Sequence, residues 1–125
     1  MVIKECNTEE LKDRMQENSN ALFYRVCRAT IFVKGIKNAG ASKNSDNLAP
    51  NRELHQAYQS NKINWDEYVP AYTAQIENDP KAQALLLRIK MESENQDVYL
   101  VCVCGIDEGT YCHRFLLMET IKEIS

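Results

Sequence analysis

Hydrophobic residues along the chain fall into two spacing patterns, which separate predicted strands from predicted helices. Apolar and β-branched runs predict strands over about 2–5, 21–33 and 97–104. Helical spacing predicts helices over about 7–18, 51–60, 64–76, 79–91 and 111–124. The order β-α-β-α-α-α-β-α predicts an α/β fold, with a small, mainly parallel sheet of three to four strands flanked by helices.

Polar residues at the predicted helix starts support these boundaries. Asn64 and Glu67 have the spacing of a capping box, and Asp79 with Pro80 combines an acidic cap with proline in the first turn. Pro70 falls inside a predicted helix and is expected to kink it. The aromatic stripe of that helix, from Trp65 to Ile76, is typical of core packing rather than of a cofactor site.

The length of 125 residues predicts a single domain over 1–125. Residues 7–18 are predicted to form the first helix. Residues 36–49 are rich in Gly, Asn, Ser, Asp and Lys, and are expected to form a mobile surface loop. No apolar run is long enough to span a membrane and no signal peptide is recognisable, so the expectation is a cytoplasmic protein without a membrane partner.

The net charge of −3 does not favour nucleic acid as a partner, although local basic clusters leave it open. The chain has five cysteines, an odd number that argues against a disulfide framework. The oligomeric state is left undetermined by the sequence.

The residues with the most reactive side chains lie near the end of the last predicted strand. The strand stops at Cys104 and Gly105, and the last helix opens with Cys112, His113 and Arg114. Open α/β sheets bind ligands beyond the carboxyl ends of their strands. If Gly109 or Thr110 caps the helix, the amides of its first turn and Arg114 form a pocket for an anion, such as a phosphate or nucleotide.

Three basic residues near the second strand are candidates to reach the same pocket. They are Arg25, Arg28 and Lys34. The leading hypothesis is therefore a domain that binds a small anionic ligand.

A cysteine-dependent enzyme acting on a nucleotide or nucleic acid is the second hypothesis. A helix N-terminus and a nearby cation stabilise a thiolate, so Cys112 or Cys104 could be a nucleophile with His113 as proton acceptor. The same residues could instead be purely structural. Zinc is disfavoured because Cys102, Cys104, Cys112 and His113 lack a Cys-x-x-Cys spacing, and neither a metal nor a cofactor is expected.

A third hypothesis is a non-catalytic interaction module, in which the aromatic helix and the 36–49 loop contact a partner protein. Whether the chain is an enzyme stays open at this point.

Several segments together resemble domain-of-unknown-function family 488. The ending, Cys104 and Asp107 followed by Cys112-His113-Arg114, is the most specific part of the resemblance. The earlier matching segments are Tyr24-Arg25-Val26, Leu48-Ala49-Pro50, Glu53-Leu54, Trp65-Asp66-Glu67-Tyr68 and Tyr72. The resemblance spans about 22–124, and it implies a small α/β fold with a shared pocket but no established activity. By this comparison the helix over 7–18 looks like an added N-terminal segment.

The chain departs from that family after the second strand. The family usually has an Asp-Arg pair where this chain has Ala29 and Thr30. An aromatic residue, a base and a glycine of the family's following turn remain as Phe32, Lys34 and Gly35. If the family's pair takes part in a reaction, the resemblance implies a divergent member that has lost it or kept only binding.

Overall fold

The computed structural model describes residues 3–27, 33–38, 48–102 and 112–123. These residues form nine elements in chain order. They are β1 (Ile3–Asn7), α1 (Leu11–Glu17), β2 (Leu22–Arg25), β3 (Ile36–Asn38), α2 (Arg52–Gln59), α3 (Trp65–Glu77), α4 (Pro80–Glu92), β4 (Val98–Cys102) and α5 (His113–Lys122). The α/β class and the predicted order are confirmed, with β3 as a fourth strand.

The four strands make one sheet in the order β1-β4-β2-β3, and all neighbouring strands are parallel. β4 lies inside the sheet, and all five of its residues are buried. This explains its continuous apolar run, since a strand covered on both faces has no polar alternation. In the register of the sheet, Asn7 at the end of β1 pairs with Cys102 at the end of β4.

Two apolar layers cover the sheet. On one face α1 packs through Leu11 against Cys6, Phe23, Tyr99 and Val101. On the other face the larger core draws on α3, α4 and α5. Its members are Ile3, Tyr24, Val26, Leu48, Tyr68, Tyr72, Ile76, Ala82, Leu85, Leu86, Ile89, Val98, Leu100, Leu117 and Ile121. None of the described helices is long and apolar enough to cross a membrane.

The helix starts follow the predicted caps. The Asn64 side chain accepts from the Glu67 amide at 2.9 Å, and the Glu67 carboxylate accepts from the Asn64 amide at 3.1 Å. Asp79 caps α4 with Pro80 in its first turn. α3 continues through Pro70 as one helix.

The expected mobile loop over 36–49 is wrong at both of its described ends. Residues 36–38 form the edge strand β3, because Ile36 packs against the α1 layer while the strand pairs with β2. At the other end Leu48 and Ala49 are fully buried. Tyr72 donates its hydroxyl to the Leu48 carbonyl, and Gln75 donates to the Ala49 carbonyl at 2.9 Å. Residues 39–47 lie outside the described residues.

The long strand expected over 21–33 is β2 alone as far as it is described, from Leu22 to Arg25. Residues 28–32 lie outside the described residues, and so do 103–111. The predicted cap of the last helix is also wrong. α5 begins at His113 with Cys112 as its N-cap, so neither Gly109 nor Thr110 is the cap.

Candidate functional site

The carboxyl ends of β1, β2 and β4 meet the start of α5 in a buried cluster of cysteines. Cys27 follows β2, Cys102 ends β4 and Cys112 caps α5, and the three side chains pack together with Phe115. The sulfurs of Cys102 and Cys112 are 3.5 Å apart. Among the described residues, no disulfide joins any of these three cysteines. We call this group, with His113 and Arg114, the cysteine cluster.

The two ring nitrogens of His113 lie between the Val26 carbonyl, just after β2, and the Cys112 sulfur. Its Nε2 lies 2.7 Å from the Val26 carbonyl oxygen. A carbonyl only accepts, so Nε2 carries the proton of the neutral ring and Nδ1 keeps its lone pair. Nδ1 lies 3.7 Å from the Cys112 sulfur. The edge of the ring also packs against Tyr72, with 5.7 Å between the centroids.

The buried position of His113 keeps its imidazole neutral. Desolvation lowers the His113 pKa to about 4, and the charges of His55 and Arg114 lower it as well. The bond to the Val26 carbonyl acts in the opposite direction but is the smaller effect. At neutral pH the ring is therefore an uncharged hydrogen-bonding group and a weak base.

Arg114 brings a buried positive charge to the Cys112 sulfur. Its side chain donates from Nε to Glu5 Oε2 at 2.7 Å, and its Nη1 lies 3.7 Å from the Cys112 sulfur. Burial lowers the Arg114 pKa, but the anionic forms of Cys112 and Glu5 outweigh burial, and the pKa is raised. Arg114 as a whole is only 2% exposed, so its positive charge is held inside the protein beside Glu5 and Cys112.

The cysteines differ in their electrostatic surroundings. Cys6 lies on the α1 face of the sheet, where burial and the nearby carboxylates of Glu10 and Glu5 raise its pKa to about 12. Cys112 is buried as well, but it has the guanidinium of Arg114 and the start of α5 beside it in place of the two carboxylates. A cation and a helix N-terminus both favour the thiolate, whereas carboxylates and an apolar site disfavour it.

Asn7 contributes a buried amide nitrogen next to the cluster. It pairs with Cys102 in register, and neighbouring residues in register share a face of the sheet. Its Oδ1 accepts from the Glu10 amide at 3.0 Å, but its Nδ2 has no hydrogen-bond partner within the described part of the chain. A buried donor of this kind is costly unless something satisfies it.

The sequence-predicted site residues are only partly brought together. Cys112, His113 and Arg114 lie in the cluster, as described above. Arg25 ends β2 and donates from Nη1 to the Cys27 carbonyl at 2.8 Å. Lys34 is exposed and precedes β3, so it lies at the amino edge of the parallel sheet, away from Cys112. Cys104, Gly105 and Arg28 lie outside the described residues.

Sequence analysis missed three members of the site. The sequence leaves open whether Cys102 faces the core or the pocket, and in the structure its sulfur lies 3.5 Å from that of Cys112. Glu5 and Asn7 were not considered, because they are about a hundred positions away from Arg114 along the chain. The only sequence signal for them was their place in a polar stretch, Lys4-Glu5-Cys6-Asn7, within a strand that otherwise belongs to the core.

Three residues of the cysteine cluster are of the types that ligate metal ions. Of the residues that the structure describes, Cys102, Cys112 and His113 bring their ligand atoms within 4.8 Å of one another. Sulfur and imidazole nitrogen suit a soft or borderline ion such as zinc. However, the guanidinium of Arg114 lies against one of the two sulfurs and opposes a second cation there. The guanidinium therefore favours an uncoordinated thiolate on Cys112 over a metal ion bound at the same sulfur.

The fold and site define a parallel α/β domain with a buried Cys-His-Arg cluster at the carboxyl edge of its sheet. Residues 8–125 match the family model described as the active DUF488-N3 subclade, DUF488-N3a. The chain therefore belongs to domain-of-unknown-function family 488, and its resemblance to that family is confirmed. No curated protein and no solved structure matches it significantly.

Proposed function

We propose that the protein is a cysteine-dependent enzyme in which Cys112 is the nucleophile. The observation that carries the proposal is the position of the Cys112 sulfur, 3.7 Å from Arg114 Nη1 and 3.7 Å from His113 Nδ1 at the start of α5. The matching subclade is described as active, which agrees with a catalytic role. A thiolate, rather than a thiol, is the attacking species in such chemistry.

Arg114 supplies most of the stabilisation of the thiolate in this proposal. With a pKa of about 4, His113 is too weak a base to hold the thiol proton at neutral pH. The proton therefore leaves to water, and the negative charge on sulfur is balanced by the guanidinium. His113 is a positioning residue, because its bond to the Val26 carbonyl fixes the ring beside the sulfur.

The reaction has two displacement steps. The Cys112 thiolate attacks an electrophilic carbon, and the C–S bond forms as the bond to the leaving group breaks. The leaving group departs with the electron pair and is protonated by water. Water then attacks the same carbon, which releases the product and a proton and restores the thiolate.

Asn7 gives a first indication of the substrate class. Its Nδ2 is a free donor among the described residues and lies beside Cys102 in the sheet. Such a donor suits an oxygen next to the electrophilic carbon, whether a carbonyl or an anionic oxygen. A nucleotide offers oxygens of both kinds, so we propose a nucleotide or nucleic acid as the substrate.

Alkylation by iodoacetamide tests the proposal without a known substrate. The rate at each cysteine, located by mass spectrometry, is measured against pH on the reduced native protein. We expect the reaction at Cys112 to reach its half-maximal rate below the value of about 8.5 that is usual for a free thiol. The midpoint reports the thiolate fraction, whereas restricted access of the reagent to the sulfur lowers the rate by the same factor at every pH.

Two variants and one internal control sharpen this experiment. Arg114→Lys keeps the charge but loses the planar fork, and should move the midpoint at Cys112 upward. Cys112→Ser should remove the low-pH reaction completely. Cys6, whose pKa is raised to about 12, should not react in the same range. A Cys112 midpoint at or above the free-thiol value would overturn the proposal.

Anion binding without catalysis is a second candidate, favoured by the free Nδ2 of Asn7. It is weaker, because Arg25 and Arg114 already donate to the Cys27 carbonyl and to Glu5. Phosphate or sulfate should then raise the melting temperature of the protein. The nearly isosteric Asn7→Asp variant, which lacks the donor, should lose that rise. A rise that persists in the variant would count against this candidate.

No observation favours the third candidate, an interaction module, over these two. Trp65 stacks on Tyr68 with 5.1 Å between the ring centroids, and Tyr68 in turn stacks on Tyr72 at 5.8 Å. The aromatic stripe of α3 is therefore largely used in packing, as the sequence pattern predicted.

A further inference from the structure

The proposed enzymatic reaction uses Cys112 but not its contact with Cys102, and this contact allows a second reaction. Their sulfurs are 3.5 Å apart, both side chains are buried, and one ends β4 while the other begins α5. A disulfide has a sulfur–sulfur distance of about 2.05 Å, so closing the bond needs a movement of only about 1.5 Å. We infer that Cys102 and Cys112 form a reversible disulfide when the protein meets a peroxide.

The two cysteines have different parts in this oxidation. Arg114 lies against Cys112 and favours its thiolate. Cys112 is thus the thiol that a peroxide oxidises first. Cys102 has Cys112 as its neighbour in the cluster and is placed to resolve the product. The inference rests on the proposed function only in that both reactions go through the thiolate form of Cys112, and the disulfide does not need a lowered thiol pKa.

The chemistry balances with hydrogen peroxide as the oxidant. The Cys112 thiolate attacks one peroxide oxygen, the O–O bond breaks, and hydroxide leaves and is protonated to water. Cys112 is now a sulfenic acid. The Cys102 thiol loses its proton and its sulfur attacks the Cys112 sulfur, and the departing hydroxide takes up that proton as a second water. The two cysteines together have lost two electrons, and peroxide has gained them.

Formation of this bond would switch the proposed enzyme off, because Cys112 no longer has a free thiolate. It would also prevent further oxidation of Cys112 to sulfinic acid, which is generally irreversible. Reduction by a dithiol restores both thiols. The same sulfur therefore has two fates, attack on substrate and attack on peroxide, and Cys102 makes the second one reversible.

Peptide mapping of the native protein after peroxide treatment tests the inference without any variant. The reduced chain is treated with hydrogen peroxide in the presence of a chelator, quenched by alkylation, and digested without reduction. We expect a cross-linked peptide pair that joins Cys102 to Cys112, near-complete loss of alkylation at Cys112, and full recovery after dithiothreitol. A link from Cys112 to Cys27 or Cys104 instead, or no link, would overturn the inference.

Serine variants provide the matched comparison. In Cys102→Ser the sulfenic acid on Cys112 should persist, react with dimedone, and proceed to sulfinic acid at higher peroxide. Cys6→Ser changes a buried cysteine on the other face of the sheet, and should leave the cross-link unchanged.

The alkylation profile separates failure of this inference from failure of the proposed function. If Cys112 alkylates at low pH but never links to Cys102, the disulfide is refuted and the nucleophile stands. If Cys112 shows an ordinary thiol profile yet still links to Cys102, the nucleophile is refuted and the redox pair stands. An ordinary profile without the link refutes both.

Discussion

Burial of His113 makes the stability of the protein depend on pH in a predictable direction. The imidazole pKa is about 4 in the folded state and about 6.5 in an unfolded chain. As the pH falls through 6.5, the unfolded state takes up a proton that the folded state does not. The stabilisation is therefore fully present above pH 6.5 and is lost progressively as the pH falls towards 4.

The size of this effect follows from the two pKa values. A difference of about 2.5 pKa units corresponds to about 3 kcal/mol when the whole range is crossed. By about pH 5 the unfolded chain is almost fully protonated at this position and the folded protein is not, so about 2 kcal/mol should be lost relative to neutral pH. A loss of this size is a large part of the stability of an ordinary domain.

Urea denaturation at a series of pH values between about 7 and 5 measures the loss, because most carboxylates titrate below that range. His113→Gln is the informative variant, since its side-chain amide can still donate to the Val26 carbonyl but does not titrate. We expect a lower stability at neutral pH and a much flatter pH dependence. His55→Gln, on α2, is the control and should keep most of the slope. An undiminished slope in His113→Gln would refute the assignment.

Two further predictions concern stability at neutral pH. Pro70→Ala should stabilise the protein by about 1–3 kcal/mol in urea denaturation, because Pro70 is exposed inside α3 and its ring crowds the preceding turn; an unchanged midpoint would mean that the helix accommodates the ring at no cost. Tyr24→Phe should cost about 1–2 kcal/mol, because the buried hydroxyl donates to Glu92 at 2.5 Å; a neutral effect would show that this bond adds nothing to folding.

Much of the fold could be predicted because its helices and most of its strands follow from patterns of neighbouring residues. In α4 the apolar residues that recur at helical spacing, Ala82, Leu85, Leu86 and Ile89, are all buried. The capping box at the start of α3 is likewise a local signal within four positions. The strand β3 was missed because it has three residues and one large apolar side chain, Ile36, which is too little for an alternation to show.

The candidate site could be predicted only in part, because its contacts join distant segments. The sequence indicates a thiol, an imidazole and a guanidinium at the start of the last helix, but it does not show which carboxylate pairs with Arg114. The ion pair that the structure describes involves Glu5, on a strand at the other end of the chain. The order of the strands in the sheet brings these distant residues together, and no local pattern in this sequence predicts that order.

Glu5 also gives a way to separate the structural role of Arg114 from its effect on Cys112. The carboxylate accepts from Nε of Arg114, while Nη1 of the same guanidinium lies against the Cys112 sulfur. Glu5→Gln removes the countercharge of a buried cation, so we expect the protein to lose about 2 kcal/mol of stability. Glu17→Gln, at an exposed pair with Arg14, is the matched control and should change stability by less than about 0.5 kcal/mol.

Glu5→Gln should also lower the pKa of the Cys112 thiol and so favour its thiolate. Without the negative charge of Glu5, the positive charge of Arg114 is no longer shared, and a thiolate on Cys112 meets less repulsion. The pH midpoint of Cys112 alkylation should therefore fall in Glu5→Gln even though the fold is weakened. A general loosening of the structure would instead expose every cysteine and speed the alkylation of Cys6 as well. If the midpoint rises, or if Cys6 becomes reactive together with Cys112, the electrostatic coupling between Glu5, Arg114 and Cys112 is refuted.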